Sequence, residues 1–320
     1  MFYRTMRIYF CSDIHASEKC WKKFLNAPKF YDADVIIVGG DVTGKFVIPI
    51  IEGKRGKYTC RFAGVQRKLN DKAAIEQMKG LIADSGSYAW VTTPDEHAQY
   101  EGDQDAIDGL FRQLIMERVE RWVNLAQDKL SNSGVRVFVS GANDDFFEVD
   151  DALNRADLIE DPNGKVIPLD DGFEIVGMGY GNVTPWHCPR DIEEGELADR
   201  IDLAAKKVTD PSRAIFSLHV PPYGSGLDHA PQLDGDLRMV TNAGGANMIP
   251  VGSTAVRDAI ANYRPMIGVH GHIHESRGVT DIEGIPVANP GSEYGEGILD
   301  GLIIELDKQR GLVGTELVRG

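Results

Sequence analysis

Apolar runs that end abruptly in short polar clusters recur along this chain. Residues 7–11, 34–38, 135–139, 213–218 and 265–269 each read as a strand, too short for a helix and rich in Val, Ile and Phe. Such near-continuous apolar runs suit parallel strands buried on both faces. Helical spacing marks the stretches between them: residues 19–30, 106–130, 150–156, 193–208 and 253–263, the last with Ser253 or Thr254 as its cap. The residues just beyond the runs carry the chemistry. They are Asp13 and His15, Gly39-Gly40-Asp41, Asn143-Asp144-Asp145, His219, and Gly271-His272-Ile273-His274.

Several stretches depart from this alternation. Residues 46–51 and 57–62 read as two strands joined by a basic turn (Lys54, Arg55, Lys57), residues 66–85 as a helix, and residues 87–99 as irregular or short-stranded. This block, at about residues 44–105, is expected to be an insertion in a single domain covering residues 1–320. Residues 165–169 and 173–178 read as further strands. The Gly/Asp-rich loop 224–245, with Asp228 and His229, is too long for a simple connector. Short runs after residue 278, separated by Gly and Pro, predict the edge of a second sheet, and residues 312–317 a last strand.

Composition narrows the class. With 42% hydrophobic and 26% charged residues the chain is globular, and a formal charge of −15 argues against nucleic-acid binding through a broad basic surface. A small phosphorylated ligand held through metal ions stays compatible with that charge. The four cysteines form no CxxC pair, and no run approaches the ~20 apolar residues needed to span a bilayer. A soluble, cytoplasmic protein with no membrane attachment is expected. Oligomeric state is not legible from the pattern.

Taken singly, each polar cluster is a common turn. Together they offer two Asp, one Asn and four His at strand ends, a set of hard oxygens and borderline imidazoles that suits Mn²⁺, Fe²⁺ or Zn²⁺. Asp13 and His15 are expected to point the same way through the two-residue period of an extended segment. The two glycines before Asp41 leave room for close backbone approach. Asn143 ligates through its amide oxygen, while Asp144 and Asp145 can ligate, orient a ligand or carry a proton. Trp186, His187 and Arg190, in a Pro-flanked loop, and His229 are candidates for contacting substrate.

Asp13-Ile14-His15, Gly39-Gly40-Asp41, Gly141-Ala142-Asn143-Asp144-Asp145, His219, Gly271-His272-Ile273-His274 and Asn289-Pro290-Gly291-Ser292 resemble the motif series of the calcineurin-like metallophosphoesterase superfamily. The matching elements run from residue 7 to about residue 306. The resemblance implies an α+β fold, a four-layer αββα sandwich of two mixed sheets flanked by helices. It also implies two divalent metal ions, one held by Asp13, His15 and His274, the other by Asn143, His219 and His272, with Asp41 between them. The implied reaction is hydrolysis of a phosphomonoester or phosphodiester by a metal-bound hydroxide, with Asp41, Asn143, Asp144 and His219 as catalytic positions.

In one place the chain departs from the family pattern. Ala142 is inserted after Gly141, and Asp144 stands where the family often has a histidine near the leaving group. An ordinary Asp is ionised at neutral pH and a poor general acid unless a nearby substrate phosphate raises its pKa, so leaving-group protonation is expected to fall to water or to a residue such as His229, or to be unnecessary for an activated ester. A catalytically weak or inactive metal-binding scaffold that mediates protein interactions is the alternative expectation.

Overall fold

The computed structural model describes residues 5–242 and 244–320. Residues 1–4, at the start of the predicted single domain, and Ala243, in the predicted loop 224–245, lie outside them. Among the described residues two six-stranded mixed sheets stack face to face. In the first, the order is Gly311–Arg319, Asp300–Asp307, Met6–Cys11, Val35–Val38, Arg136–Val139, Ile159–Glu160. Its four strands from Met6–Cys11 onward run parallel, and Asp300–Asp307 is antiparallel to Met6–Cys11. In the second, the order is Gly278–Ile282, Ile285–Asn289, Ile267–Val269, Ala214–Leu218, Glu174–Met178, Val166–Pro168. Its four central strands are parallel and its two edges antiparallel.

The two-residue period of the strands explains the layering. Ile8 and Phe10 face inward with Ile37, Phe138, Ile215, Val269 and Leu302, forming a core shared by both sheets. Tyr9, Cys11, Ile36, Val38 and Val139 face outward and are covered by Trp21, Phe24, Val119, Trp122 and Val149 from the helices Glu18–Phe24, Gln104–Leu130 and Glu148–Leu153. Trp21 and Trp122 stack at 4.8 Å with their planes 4° apart, fixing the short helix on the long one; such pairs contribute about 0.5–1.5 kcal/mol beyond their buried area. On the far side, Val176, Phe216, Leu218 and Val287 pack beneath the helices Glu194–Ala205 and Thr254–Tyr263. The expected αββα sandwich is therefore the fold found. The last two strands belong to the first sheet, however, and do not extend the edge of the second.

Residues 47–92 form a separate four-stranded sheet, in which Val47–Glu52 pairs antiparallel with Tyr58–Phe62 and parallel with Tyr88–Thr92. Ile50, Cys60, Leu69, Ile75, Met78 and Ile82 make its own small core, under the helix Lys72–Asp84. The helix predicted over residues 66–85 thus starts later, because Val65–Leu69 pairs as an edge strand and Asp71 caps the helix by accepting from the Ala74 amide. The segment predicted as irregular or short-stranded holds the short strand Tyr88–Thr92 and, unforeseen, the helix Pro94–Tyr100. Buried Arg118 ties this unit to the first sheet, its guanidinium donating to the carbonyls of Ala16 and Ser87.

Candidate metal centre

Five parallel strands, drawn from both sheets, end at one rim of the sandwich, and each hands a polar residue to the same spot. Asp13 and His15 follow Met6–Cys11, Asp41 follows Val35–Val38, and Asn143 follows Arg136–Val139. His219 follows Ala214–Leu218, and His272 and His274 follow Ile267–Val269. Carboxyl ends of parallel strands are where open α/β sheets gather ligands.

The convergence of Asp13 and His15 has a cause other than strand alternation. Both have left-handed backbone, with φ of 55° and 38°, as do Asp41 (50°) and His272 (64°). Such conformations are strained for non-glycine residues and persist only where the surroundings hold them. Here they are held by long-range bonds. The amides of Asp13 and His15 donate to the carbonyls of Gly40 and Asp41, and the His272 amide donates to both oxygens of Asp13 at 3.0 Å. Gly40, at φ +135°, has no room for a side chain, since a Cβ would fall 2.3 Å from that of Ala142 and 2.6 Å from His219 Nδ1. At Gly271 a Cβ would lie 2.2 Å from an Asp13 oxygen.

The side chains form groups with ligand atoms within 4.8 Å of one another: Asp13, His15 and His274; Asp41, His219 and His272; and His15, Asp41 and Asp144. Asn143 joins the second, its Oδ1 being 3.1 Å from His272 Nδ1. His15 Nδ1 donates to the Thr43 carbonyl (3.1 Å) and His219 Nδ1 to that of Gly39 (3.2 Å). Each Nδ1 is thereby fixed as the protonated nitrogen, and each Nε2 lone pair is aimed at the centre, as outer carbonyls do for metal-bound histidines. His219 Nε2 is buried without a hydrogen-bond partner, 3.5 Å from Asp41 Oδ2 and 3.8 Å from Asp13 Oδ1. An orphaned imidazole nitrogen facing two carboxylates fits a divalent cation.

Electrostatics at the centre reflect crowding. Burial raises the Asp13 carboxyl, but His274, His219 and His15 outweigh it and hold the group below the usual carboxylate range. Asp41 is pushed up to about 7 by burial and by the Asp144 charge. His219, despite burial, is pushed up to about 9 by Asp41 and Asp13. Burial and neighbouring cations take His15 and His272 down to about 3. The centre thus binds positive charge strongly, as protons or as metal.

The remaining sequence candidates divide. Asp144 is at the centre, held there as a carboxylate. Although burial raises it, Lys45, His15 and the Cys188 thiol hold it well below the usual carboxylate range. Its Oδ2 pairs with the Lys45 ammonium, and its Oδ1 accepts from Cys188 Sγ at 2.9 Å. Asp145 is structural: fully buried, it accepts from the amides of Val42, Thr43 and Ala142 and from the Thr43 hydroxyl. Arg190, expected to contact substrate, is 1% exposed. Its guanidinium donates four hydrogen bonds, to Asp150 and to the carbonyls of Asp145 and Phe146, bracing the Asn143 loop from behind. Trp186 and His187 lie exposed on the surface. His229 sits on the strand His229–Pro231, where its carbonyl accepts from the Ser276 hydroxyl.

Of the other participants, Lys45, Tyr294 and Asp191 had weak sequence signals, whereas Asn289 and Ser292 belong to a motif already read. Lys45 lies four residues past Asp41, inside the block read as an insertion. Tyr294 places its ring 4.6 Å from that of His15 and 5.8 Å from that of His274. Asp191 accepts from Asn143 Nδ2 at 3.4 Å, and Asn289 braces the ligand turn by donating to the carbonyls of Gly271 and Ile273. Ser292 donates to the Asp13 carbonyl at 2.7 Å, so the Asn-Pro-Gly-Ser sequence acts as a clamp on both ligand loops.

No protein-family model matches the chain. The uncharacterized protein MJ1162 of Methanocaldococcus jannaschii is 32% identical over 151 residues, 46% of this chain, and the chain spans 60% of that relative's length. A solved structure superposes with a TM-score of 0.57 at 13% identity, covering 98% of this chain and 99% of its own. The structure of TT1561 of Thermus thermophilus does so with a TM-score of 0.52 at 12% identity, covering 99% and 98%. These likenesses extend over the whole sandwich, and the strand-end motifs occupy its ligand-bearing rim. The chain shares the four-layer αββα-sandwich fold of these two solved structures.

Proposed function

We propose that this protein is a metal-dependent phosphoesterase that hydrolyses a small phosphomonoester or phosphodiester at a centre of two divalent cations. The observation that carries the reading is the meeting of two ligand groups around the unpartnered, buried Nε2 of His219. Asp13, His15 and His274 would hold one ion and Asn143, His219 and His272 the other, with Asp41 between them. Mn²⁺, Fe²⁺ and Zn²⁺ all suit this donor set. Such a pair of ions supplies Lewis acidity toward phosphoryl oxygens and a water of lowered pKa.

The chain's own residues supply position and charge. The carbonyls of Thr43 and Gly39 orient two imidazoles, Asn289 and Ser292 hold the ligand turns, and Arg190 stiffens the loop that presents Asn143. Asp144 stays anionic, so the leaving oxygen takes its proton from solvent, which suits esters whose leaving groups are not strongly basic. No helix among the described residues is long and apolar enough to cross a membrane. Four free thiols agree with a reducing, cytoplasmic setting.

The test uses protein loaded with Mn²⁺ and assayed on p-nitrophenyl phosphate and its bis ester. Turnover of at least one is expected, and Asp41→Asn should abolish most of it. A protein that binds two ions yet stays inactive across metals and esters sinks the enzymatic reading and favours the scaffold one.

A further inference from the structure

We propose that Lys45 is the substrate-side cation of this centre: Asp144 holds its ammonium at the rim, where it binds a phosphoryl oxygen and stabilises charge developing on the leaving oxygen. The inference rests on the phosphoesterase reading above and deepens it. Asp13, Asp41 and Asp144 bring three carboxylates together, and among the described residues Lys45 forms the ion pair that reaches them from a Lys or Arg. The Lys45 side chain remains 43% exposed while that of Asp144 is 14% exposed, so the pair bridges the buried carboxylate and the protein surface. Asp144 is in turn fixed by the Cys188 thiol and by its own amide, which donates to Asp41 Oδ1 at 3.2 Å. The Lys45 charge also acts on His15, His274 and Tyr294, whose rings neighbour one another at the first ligand group.

The loop that carries Lys45 is stiff. The Thr43 carbonyl accepts from His15, the Gly44 amide donates to the Tyr88 hydroxyl at 3.0 Å, and the strand Val47–Glu52 begins two residues later. A tethered cation facing solvent beside a metal centre is a ready partner for an anionic oxygen. In the reaction the oxygen of water bonds to phosphorus, giving up a proton to solvent, as the bond from phosphorus to the leaving oxygen breaks. The electron pair stays on the leaving oxygen, which is protonated from solvent, and Lys45 remains an ammonium throughout. Asp144 thus stands in the family's histidine position as the anchor of a lysine.

Calorimetry of inorganic phosphate binding tests the assignment on Mn²⁺-loaded wild type, Lys45→Met, Lys45→Arg and the double variant Lys45→Met/Asp144→Asn, with metal content measured for each. Lys45→Met is expected to bind phosphate about tenfold more weakly at unchanged metal content, the weight of one charge-assisted hydrogen bond. Lys45→Arg should keep most of the affinity, and the double variant should stay weak. On esters, Lys45→Met should lose more kcat/KM with phenyl phosphate than with p-nitrophenyl phosphate, whose better leaving group needs less help. Wild-type phosphate affinity in Lys45→Met overturns the inference, as does a wild type that binds no phosphate. Recovery in the double variant also overturns it, because Lys45 would then only neutralise Asp144. If phosphate binding depends on Lys45 but no ester is cleaved, the assignment stands and the proposed hydrolysis falls.

Discussion

Asp145 offers a quantitative test of how the metal-binding loops are held together. It lies fully buried between the loop that carries Asp41 and the loop that carries Asn143. One oxygen accepts from the amides of Val42 (3.0 Å) and Ala142 (2.8 Å), the other from the amide (2.8 Å) and hydroxyl (2.6 Å) of Thr43. Asp145→Asn replaces one acceptor with an NH₂ group. The least damaging orientation keeps the oxygen toward Val42 and Ala142, because the Thr43 hydroxyl can turn and accept. The Thr43 amide is then a buried donor facing another donor, at about 1–3 kcal/mol, and two surviving bonds lose charge assistance at about 0.5 kcal/mol each. The sum is about 3 kcal/mol, a large share of the 5–15 kcal/mol typical of a domain. Urea unfolding of chelator-treated protein measures it, with Thr43→Val, which removes the hydroxyl alone, expected near 1 kcal/mol. An Asp145→Asn variant within about 0.5 kcal/mol of wild type would refute the reasoning, since that is the scale of surface substitutions.

Two further outcomes follow from the centre. Metal-free protein should be most stable near pH 6.5. Below it the unfolded chain protonates histidines that the fold keeps neutral, His15 and His272 at about 3 and His270 at about 4; above it, stability tied to the His219 proton is lost as pH rises through about 9. Urea midpoints from pH 5 to 9 check this, and a monotonic profile would contradict it. Gly271→Ala should weaken metal binding in calorimetry, because the new methyl displaces Asp13, and should cost about 1–3 kcal/mol of stability from overpacking. Wild-type metal affinity in that variant would show that the ligand turn has slack.

The fold was largely legible because its signal is local. Residues 7–11, 34–38, 135–139, 213–218 and 265–269 each read as strands, and each is a strand within a residue or two. A strand buried on both faces needs apolar residues throughout, and its abrupt polar end marks the rim. The ligand types were legible for the same reason, since Asp, Asn and His clusters immediately follow apolar runs. Boundaries failed where pairing overrode local pattern. Val65–Leu69 became a strand because it found Tyr58–Phe62 as a neighbour, which no helical periodicity records.

Local pattern also explains the errors at the site. Arg190 carries a charge in a Pro-flanked loop and so reads as a substrate contact, yet Asp150, forty residues earlier, and the carbonyls of Asp145 and Phe146 hold it. Asp144 reads as a carboxylate in the place of a histidine, and its partner Lys45, far earlier in the chain, carries no signal in the local pattern.

By itself the sequence determined the order of the strands and helices that build the sandwich, and the metal-ligand types at its strand ends, but not the elements of residues 65–100. The tertiary structure decided what each charged group faces. The bond from His272 to Asp13 joins residues 259 apart, and the left-handed backbone that aims Asp13, His15, Asp41 and His272 is strained unless such bonds hold it. Periodicity reports whether a residue is buried; only folding brings together the partners that fix its charge and direction.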